Sequence, residues 1–231
     1  MGTIIALGGG RFDNGEMTNV AQYILDCTGK PSPHVLFLPT AGYDDMTGDE
    51  PIRDMFLSLG ATFEALLLTD ETLSYDAIER AILSCDAVYA GGGDLKFLMD
   101  TWTRTGADRA LREAYSRGVV LSGFSSGAMC WFECGYDDCG PEHAFIFVPC
   151  LGLLPHCCCP HFLSETWQRF AQRIPETPYS GVGIEDGAAL VRQNGTYSVI
   201  TGNEGGEAFF FDRRRGWARQ RITDDASVLL S

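Results

Sequence analysis

The sequence predicts an α/β fold: a mostly parallel, doubly wound sheet with helices on both faces and antiparallel strands at its C-terminal edge. Three observations predict it. Short apolar runs that do not alternate, such as Val35–Leu38 (VLFL) and Ala87–Ala90 (AVYA), recur along the chain. Helix-spaced segments separate them, and glycine-rich turns close several of the runs. A strand covered by helices on both sides has no wet face, so it loses the in–out alternation of a half-exposed strand. Alternation of strand and helix then favours parallel pairing through crossovers.

In chain order, Thr3–Leu7 reads as a strand running into Gly8–Gly10, and Met17–Leu25 has helical spacing. Val35–Leu38 is a strand stopped by Pro39. Ile52–Leu59 reads as helix and Phe63–Leu68 as strand. Tyr75–Leu83 is a helix feeding Ala87–Ala90, which ends in a second triplet, Gly91–Gly93. Leu95–Thr103 and Ala107–Ser116 are helices, and Val119–Ser122 is another buried strand. The tail changes character. Gly183–Arg192, Tyr197–Thr201 and Glu207–Phe211 are strand segments with turn signals at 193–195 and 202–206, expected on the far edge of the sheet. With no linker, repeat or low-complexity tract, residues 1–231 are expected to form one domain.

Bulk composition narrows the function. Apolar residues make up 45% and charged residues 21% of 231, as in ordinary globular chains. A net charge of -14 argues against nucleic acid, whose binding needs clustered cations. The basic run Arg213–Arg215 reads as a solvated turn. The N-terminus lacks the basic and apolar regions of a signal peptide, and no run is long enough to span a membrane. Nine cysteines without an export signal point to reduced thiols. The expectation is a soluble cytoplasmic protein with no membrane or nucleic-acid partner, for which a homodimer is admissible.

Chemistry is expected outside the carboxyl ends of the strands. Three loops of unusual composition fall there: Gly8–Gly10, Gly91–Asp94 and Gly123–Gly127. The glycine triplets lack the spacing of dinucleotide or P-loop motifs. Gly123-Phe124-Ser125-Ser126-Gly127, in contrast, matches G-x-S-x-G between a strand and a helix beginning near Ala128–Phe132. That context makes Ser125 a nucleophile on a sharp elbow and the N–H of Ser126 an oxyanion donor. A serine nucleophile needs a base, and there are four histidines: His34, His143, His156 and His161. His34 reads as structural. An orienting carboxylate could come from Glu185 or Asp186 in GVGIEDGAAL. Cys130, Cys134, Cys139 and Cys157–Cys159 raise a zinc alternative, but no CxxC pair occurs and three consecutive residues cannot easily face one ion.

Taken together, IIALGGG, VLFLPTA, AGGGD, GFSSGA, LGLLP…CPHF and GIEDGAAL make the chain resemble the dipeptidase E and cyanophycinase family of serine peptidases. That family has a fold like the class I glutamine amidotransferases. The resemblance implies Ser125 as nucleophile, His161 as general base and an acid from the Glu185-Asp186 pair, with Asp186 favoured. It implies an oxyanion hole from the N–H groups of Ser126 and Gly92. The reaction expected is hydrolysis of a small peptide, an Asp-X dipeptide in particular, with no cofactor or metal. Ser126 departs from the alanine usual after the nucleophile. Arg169 or Arg173, in FLSETWQRFAQRI, is the candidate cation for an aspartyl substrate, and Asp94 is a further substrate-binding candidate. Two alternatives stay open: an idle or ligand-binding relative, and a cyanophycinase-like hydrolase of another acidic peptide.

Overall fold

The computed structural model describes residues 2–223. In chain order the elements are β1 (Ile4–Leu7), α1 (Thr18–Cys27), β2 (His34–Leu38), α2 (Glu50–Ser58), β3 (Thr62–Ala65), α3 (Tyr75–Ser84), β4 (Ala87–Ala90), α4 (Leu95–Thr105), α5 (Ala107–Arg117) and β5 (Val120–Phe124). There follow α6 (Ser126–Met129), β6 (Phe132–Asp137), β7 (Ile146–Pro149), β8 (Leu154–Cys159), α7 (Phe170–Arg173), β9 (Gly181–Ile184), β10 (Ala188–Gln193), β11 (Thr196–Thr201), β12 (Ala208–Asp212) and β13 (Ala218–Arg221).

The strands form two sheets. The first has seven strands in the order β11-β10-β1-β5-β4-β2-β3. Its central strands are parallel, with Ile4–Leu7 beside Leu121–Phe124 and Ala87–Ala90 beside both Val35–Leu38 and Val120–Gly123. β10 and β11 add antiparallel strands at its edge. Residues of β1, β4 and β5 are buried nearly throughout, which explains their unbroken apolar sequences. One face packs on α1 and α2 through Ile5, Val20, Ile24, Phe37 and Phe56. The other packs on α3, α4 and α5 through Leu36, Val88, Ile82, Leu98 and Leu111.

The second sheet, β13-β12-β9-β8-β6-β7, is an addition to the one-sheet expectation. Its β6, β8 and β9 are parallel, flanked by antiparallel β7, β12 and β13. The stretch 183–192 is not one strand. The turn at Glu185–Gly187 divides it, leaving β9 in the second sheet and β10 in the first. The helix expected over Ala128–Phe132 lasts a single turn, because Phe132 already pairs with Leu154 as the start of β6. Successive strand residues point to opposite faces. Accordingly Cys158 joins the core shared with the first sheet, whereas Cys157 and Cys159 face a separate aromatic cluster of Tyr136, Phe162, Phe170 and Phe211. The expectation that every cysteine is a free thiol is corrected. Cys134 and Cys157, registered neighbours on β6 and β8 with Cα atoms 4.5 Å apart, form a disulfide. Among the described residues no helix is long and apolar enough to cross a membrane.

Candidate active site

Ser125 sits between β5 and α6 with φ 54° and ψ -121°. A positive φ is strained for a residue with a Cβ and persists only where the surroundings impose it. Here the Ser125 N–H donates to Leu7 O at 3.2 Å, and Ser125 O accepts from Ala128 and Met129 N–H at 2.9 and 3.1 Å. The flanking glycines are needed for space. A Cβ on Gly127 would lie 2.1 Å from Ala90 O, and one on Gly123 would lie 2.4 Å from Gly127 O. This is the tight strand–turn–helix that aims a serine hydroxyl outward from a sheet edge.

His161 follows β8 and also has positive φ, 49°. Its N–H donates to Gly8 O at 3.0 Å, tying it to the end of β1 in the other sheet, and its ring meets Trp167 edge-on at 5.3 Å. The imidazole Nε2 lies 3.0 Å from Ser125 Oγ, and Nδ1 lies 2.6 Å from Asp186 Oδ1. A carboxylate accepts, so Nδ1 carries the proton and Nε2 accepts from the serine hydroxyl. Gly9 passes beneath this pair. A Cβ there would stand 2.1 Å from Asp186 Oδ1 and 2.5 Å from His161 Cε1.

Asp186, not Glu185, therefore reaches the imidazole, although both lie in the turn between β9 and β10. Glu185 points the other way, where its Oε2 accepts the Glu207 N–H at 2.9 Å. Its Oε1 is buried with no hydrogen-bond partner among the described residues. Burial pushes the Glu185 carboxyl above the usual range, and the Glu207 hydrogen bond opposes this. On the other side of Ser125, Gly92 approaches so closely that an added Cβ would lie 3.2 Å from Ser125 Cβ. Among the described residues neither the Gly92 N–H nor the Ser126 N–H has a backbone acceptor, which leaves both free for an incoming oxygen.

Three other sequence candidates lie apart from this group. Asp94 is the N-cap of α4: its Oδ1 accepts the Phe97 N–H at 2.8 Å and its Oδ2 the Tyr43 hydroxyl at 2.9 Å. Arg169 is exposed, and Arg173 is paired with Glu176 at 2.5 Å. Neither arginine lines the cavity of about 540 Å³ beside His161. That cavity is lined instead by Arg11, Glu16, Glu185, Asp186, Glu204 and glycines of two loops. Arg11 pairs with Asp13 at 3.2 Å on the surface. Arg11 and Glu16 were not among the sequence candidates, although as charges following the first glycine triplet at a strand's carboxyl end they carried a signal. Glu204 had no such signal, because its loop arrives from β11. Of the remaining histidines, His34 faces Glu64 at 3.4 Å, His156 packs on Phe210 and His143 lies exposed in the turn Pro141–His143. Among the described residues no group of three or more His, Cys, Asp or Glu side chains is placed to hold a metal ion.

Known peptidases resemble the chain in sequence and in fold. The chain is 34% identical over 215 residues to an uncharacterized peptidase of Bacillus subtilis, YgaJ, covering 90% of this chain and 91% of that one. It is 24% identical over 198 residues to an uncharacterized peptidase of Pasteurella multocida, covering 81% and 95%. The fold matches a crystal structure of a peptidase from an acI-B1 actinobacterium with a TM-score of 0.75 at 19% identity, over 97% of this chain and 95% of that one. It also matches a putative peptidase E protein from Listeria monocytogenes, with a TM-score of 0.67 at 20% identity, over 87% and 98%. The sequence profile of peptidase family S51 matches residues 4–200. With the match running from β1 into β11 and taking in the elbow, His161 and the Glu185-Asp186 turn, the chain belongs to peptidase family S51.

Proposed function

We propose that the protein is a serine peptidase in which Ser125, His161 and Asp186 act as nucleophile, general base and orienting acid. The hydrogen-bonded line from Asp186 through His161 to Ser125, on a backbone strained at Ser125, is the observation that carries this reading. Proton transfer needs a base within about 2.6–3.2 Å of the hydroxyl, and His161 Nε2 lies inside that range. In the reaction, His161 takes the Ser125 proton as Oγ attacks the substrate carbonyl. The Gly92 and Ser126 N–H groups receive the developing oxyanion. His161 then protonates the departing amine, leaving an acyl-enzyme that water hydrolyses by the same route in reverse. Asp186 fixes the imidazole tautomer and stabilises the imidazolium.

For the substrate we infer a short peptide. Membership of the family favours an Asp-X dipeptide, for which Arg11 is the cation in the cavity lining. One observation favours a second reading: Glu16, Glu185, Asp186 and Glu204 outnumber Arg11 there, which suits a cationic group better than an aspartate. The test is hydrolysis of Asp-X, Lys-X and Ala-X dipeptides by wild type and Ser125→Ala. Turnover lost in the variant supports the nucleophile, and the preferred first residue decides between the two substrates. Equal turnover by both proteins would end the serine reading.

A further inference from the structure

We propose that Asp137 is a neutral carboxylic acid that positions the Gly91–Gly93 loop through the Ser126 hydroxyl. The inference rests on the serine peptidase reading and explains why Ser126 carries a hydroxyl that the chemistry itself does not use. Ser126 is fully buried, and Asp137, at the end of β6, is 1% exposed. Ser126 Oγ lies 2.5 Å from Gly93 O and 3.1 Å from Asp137 Oδ2. A hydroxyl has one hydrogen, and a carbonyl has none to offer in return. The shorter contact therefore takes the Ser126 proton, and Asp137 Oδ2 faces an oxygen with only lone pairs to present. That contact is a hydrogen bond when Oδ2 carries a proton and a repulsion when it does not.

The surroundings favour the proton. No arginine, lysine or histidine pairs with Asp137 among the ion pairs of the described residues. Burial pushes its carboxyl above the usual range; hydrogen bonds from Cys139, and from Ser126 whenever that hydroxyl turns to Oδ2, oppose this, and the charge of Asp138 reinforces it. A buried carboxylate with no cation beside it is expensive, which favours the protonated form. Asp137 Oδ1 remains an acceptor for the Cys139 N–H at 2.9 Å. The resulting chain runs from Asp137 Oδ2–H to Ser126 Oγ–H to Gly93 O.

Its effect is mechanical. The glycine loop is anchored at one end by the Gly91 N–H on Leu38 O at 3.0 Å and at the other by the Asp94 N–H on Ala41 O at 2.8 Å. Between those anchors, Ser126 ties the Gly93 carbonyl to the elbow. The tie fixes where the Gly92 N–H points relative to Ser125, so Asp137 and Ser126 are positioning residues for the oxyanion donors.

Because labelling by a fluorophosphonate does not depend on knowing the substrate, it is the assay of choice. Ser125 Oγ bonds phosphorus, fluoride leaves, His161 takes the proton, and the phosphoryl oxygen occupies the oxyanion site. Ser126→Ala and Asp137→Ala are expected to lower the maximal labelling rate by about 10- to 100-fold, with the half-saturating probe concentration unchanged. Asp137→Asn, whose Nδ2–H can donate to Ser126, recovers most of the wild-type rate. Infrared difference spectra at neutral pH are expected to show a carboxylic-acid carbonyl band in wild type that Asp137→Asn lacks. Unchanged labelling of Ser126→Ala, an Asp137→Asn rate no better than that of Asp137→Ala, or no difference band would each overturn the proposal. Failure of wild type to label at Ser125 would instead overturn the peptidase reading, and the infrared band would still decide the state of Asp137.

Discussion

The two sheets contribute differently to the site. The first supplies Ser125 from the end of β5 and the glycine loops that follow β1 and β4, on strands buried on both faces. The second supplies His161 from the end of β8. Asp186 belongs to neither, because it lies in the turn where the chain crosses from β9 in the second sheet to β10 in the first. In the proposed triad the nucleophile and its base thus come from separate layers, and the acid comes from the connection between them. Geometry at such a seam depends on how the layers dock, and the Gly8 carbonyl holding the His161 N–H across it is one of the contacts that sets the distance.

The largest test of this division removes one partner from each side. Ser125→Ala is expected to reduce kcat by about 10⁵–10⁶-fold, and the double variant with His161→Ala to be no worse, since groups acting as a unit lose their effect together. Independent, multiplicative losses would show that the two sheets do not share one reaction centre. Next comes the crossing turn. Asp186→Asn is expected to lower kcat by about 10³–10⁴-fold by disturbing the imidazole tautomer. Glu185→Gln should leave kcat within about threefold, because the neighbouring carboxyl hydrogen-bonds the Glu207 backbone and not the imidazole. Similar losses in both variants would erase the distinction between these adjacent acids.

A subtler probe is Gly9→Ala. The new methyl would press on both Asp186 and His161 from a strained backbone, so kcat is expected to fall by about 10- to 100-fold and the melting temperature by a few degrees. The smallest effect lies wholly on the first-sheet side. Asp49, which precedes α2 without making a side-chain cap, has its carboxyl raised from 3.8 to about 6 by burial and then by Glu50 and Asp45. A carboxyl raised on folding binds its proton more tightly in the native state. Its favourable contribution is full below the unfolded value and is lost as pH rises through the folded one. Urea unfolding at pH 4 and pH 7 should therefore show wild type losing about 1 kcal/mol relative to Asp49→Asn, allowing for partial exposure. No pH-dependent difference would mean that Asp49 is not desolvated.

Much of the first sheet was legible because burial on both faces writes itself directly into sequence. VLFL and AVYA became β2 and β4 within a residue of their expected bounds. The elbow was legible because only glycine fits at positions 123 and 127 on either side of the Ser125 turn. The second sheet was harder. β8 reads LPHCCC, in which cysteines act as small hydrophobes on both faces, and β6 begins immediately after a one-turn helix with no glycine or proline to mark the change. The residues alone left Asp186 and Glu185 open, with only the family resemblance favouring Asp186, since adjacent turn residues differ only in the direction of their side chains. Glu204 and Asp137 carried no motif that set them apart from other acidic residues, and only the folded chain shows Asp137 beside the elbow and Glu204 in the cavity lining.

The crossing turn also bears on how the protein becomes active while it is made. A ribosome releases Ser125 first, His161 next and Asp186 after them, in the turn that leads from β9 into β10. A nascent chain that has exposed His161 but not the turn between β9 and β10 would carry Ser125 and His161 without Asp186. Synthesis in one direction thus leaves the proposed reaction centre without its acid until the turn between β9 and β10 has emerged.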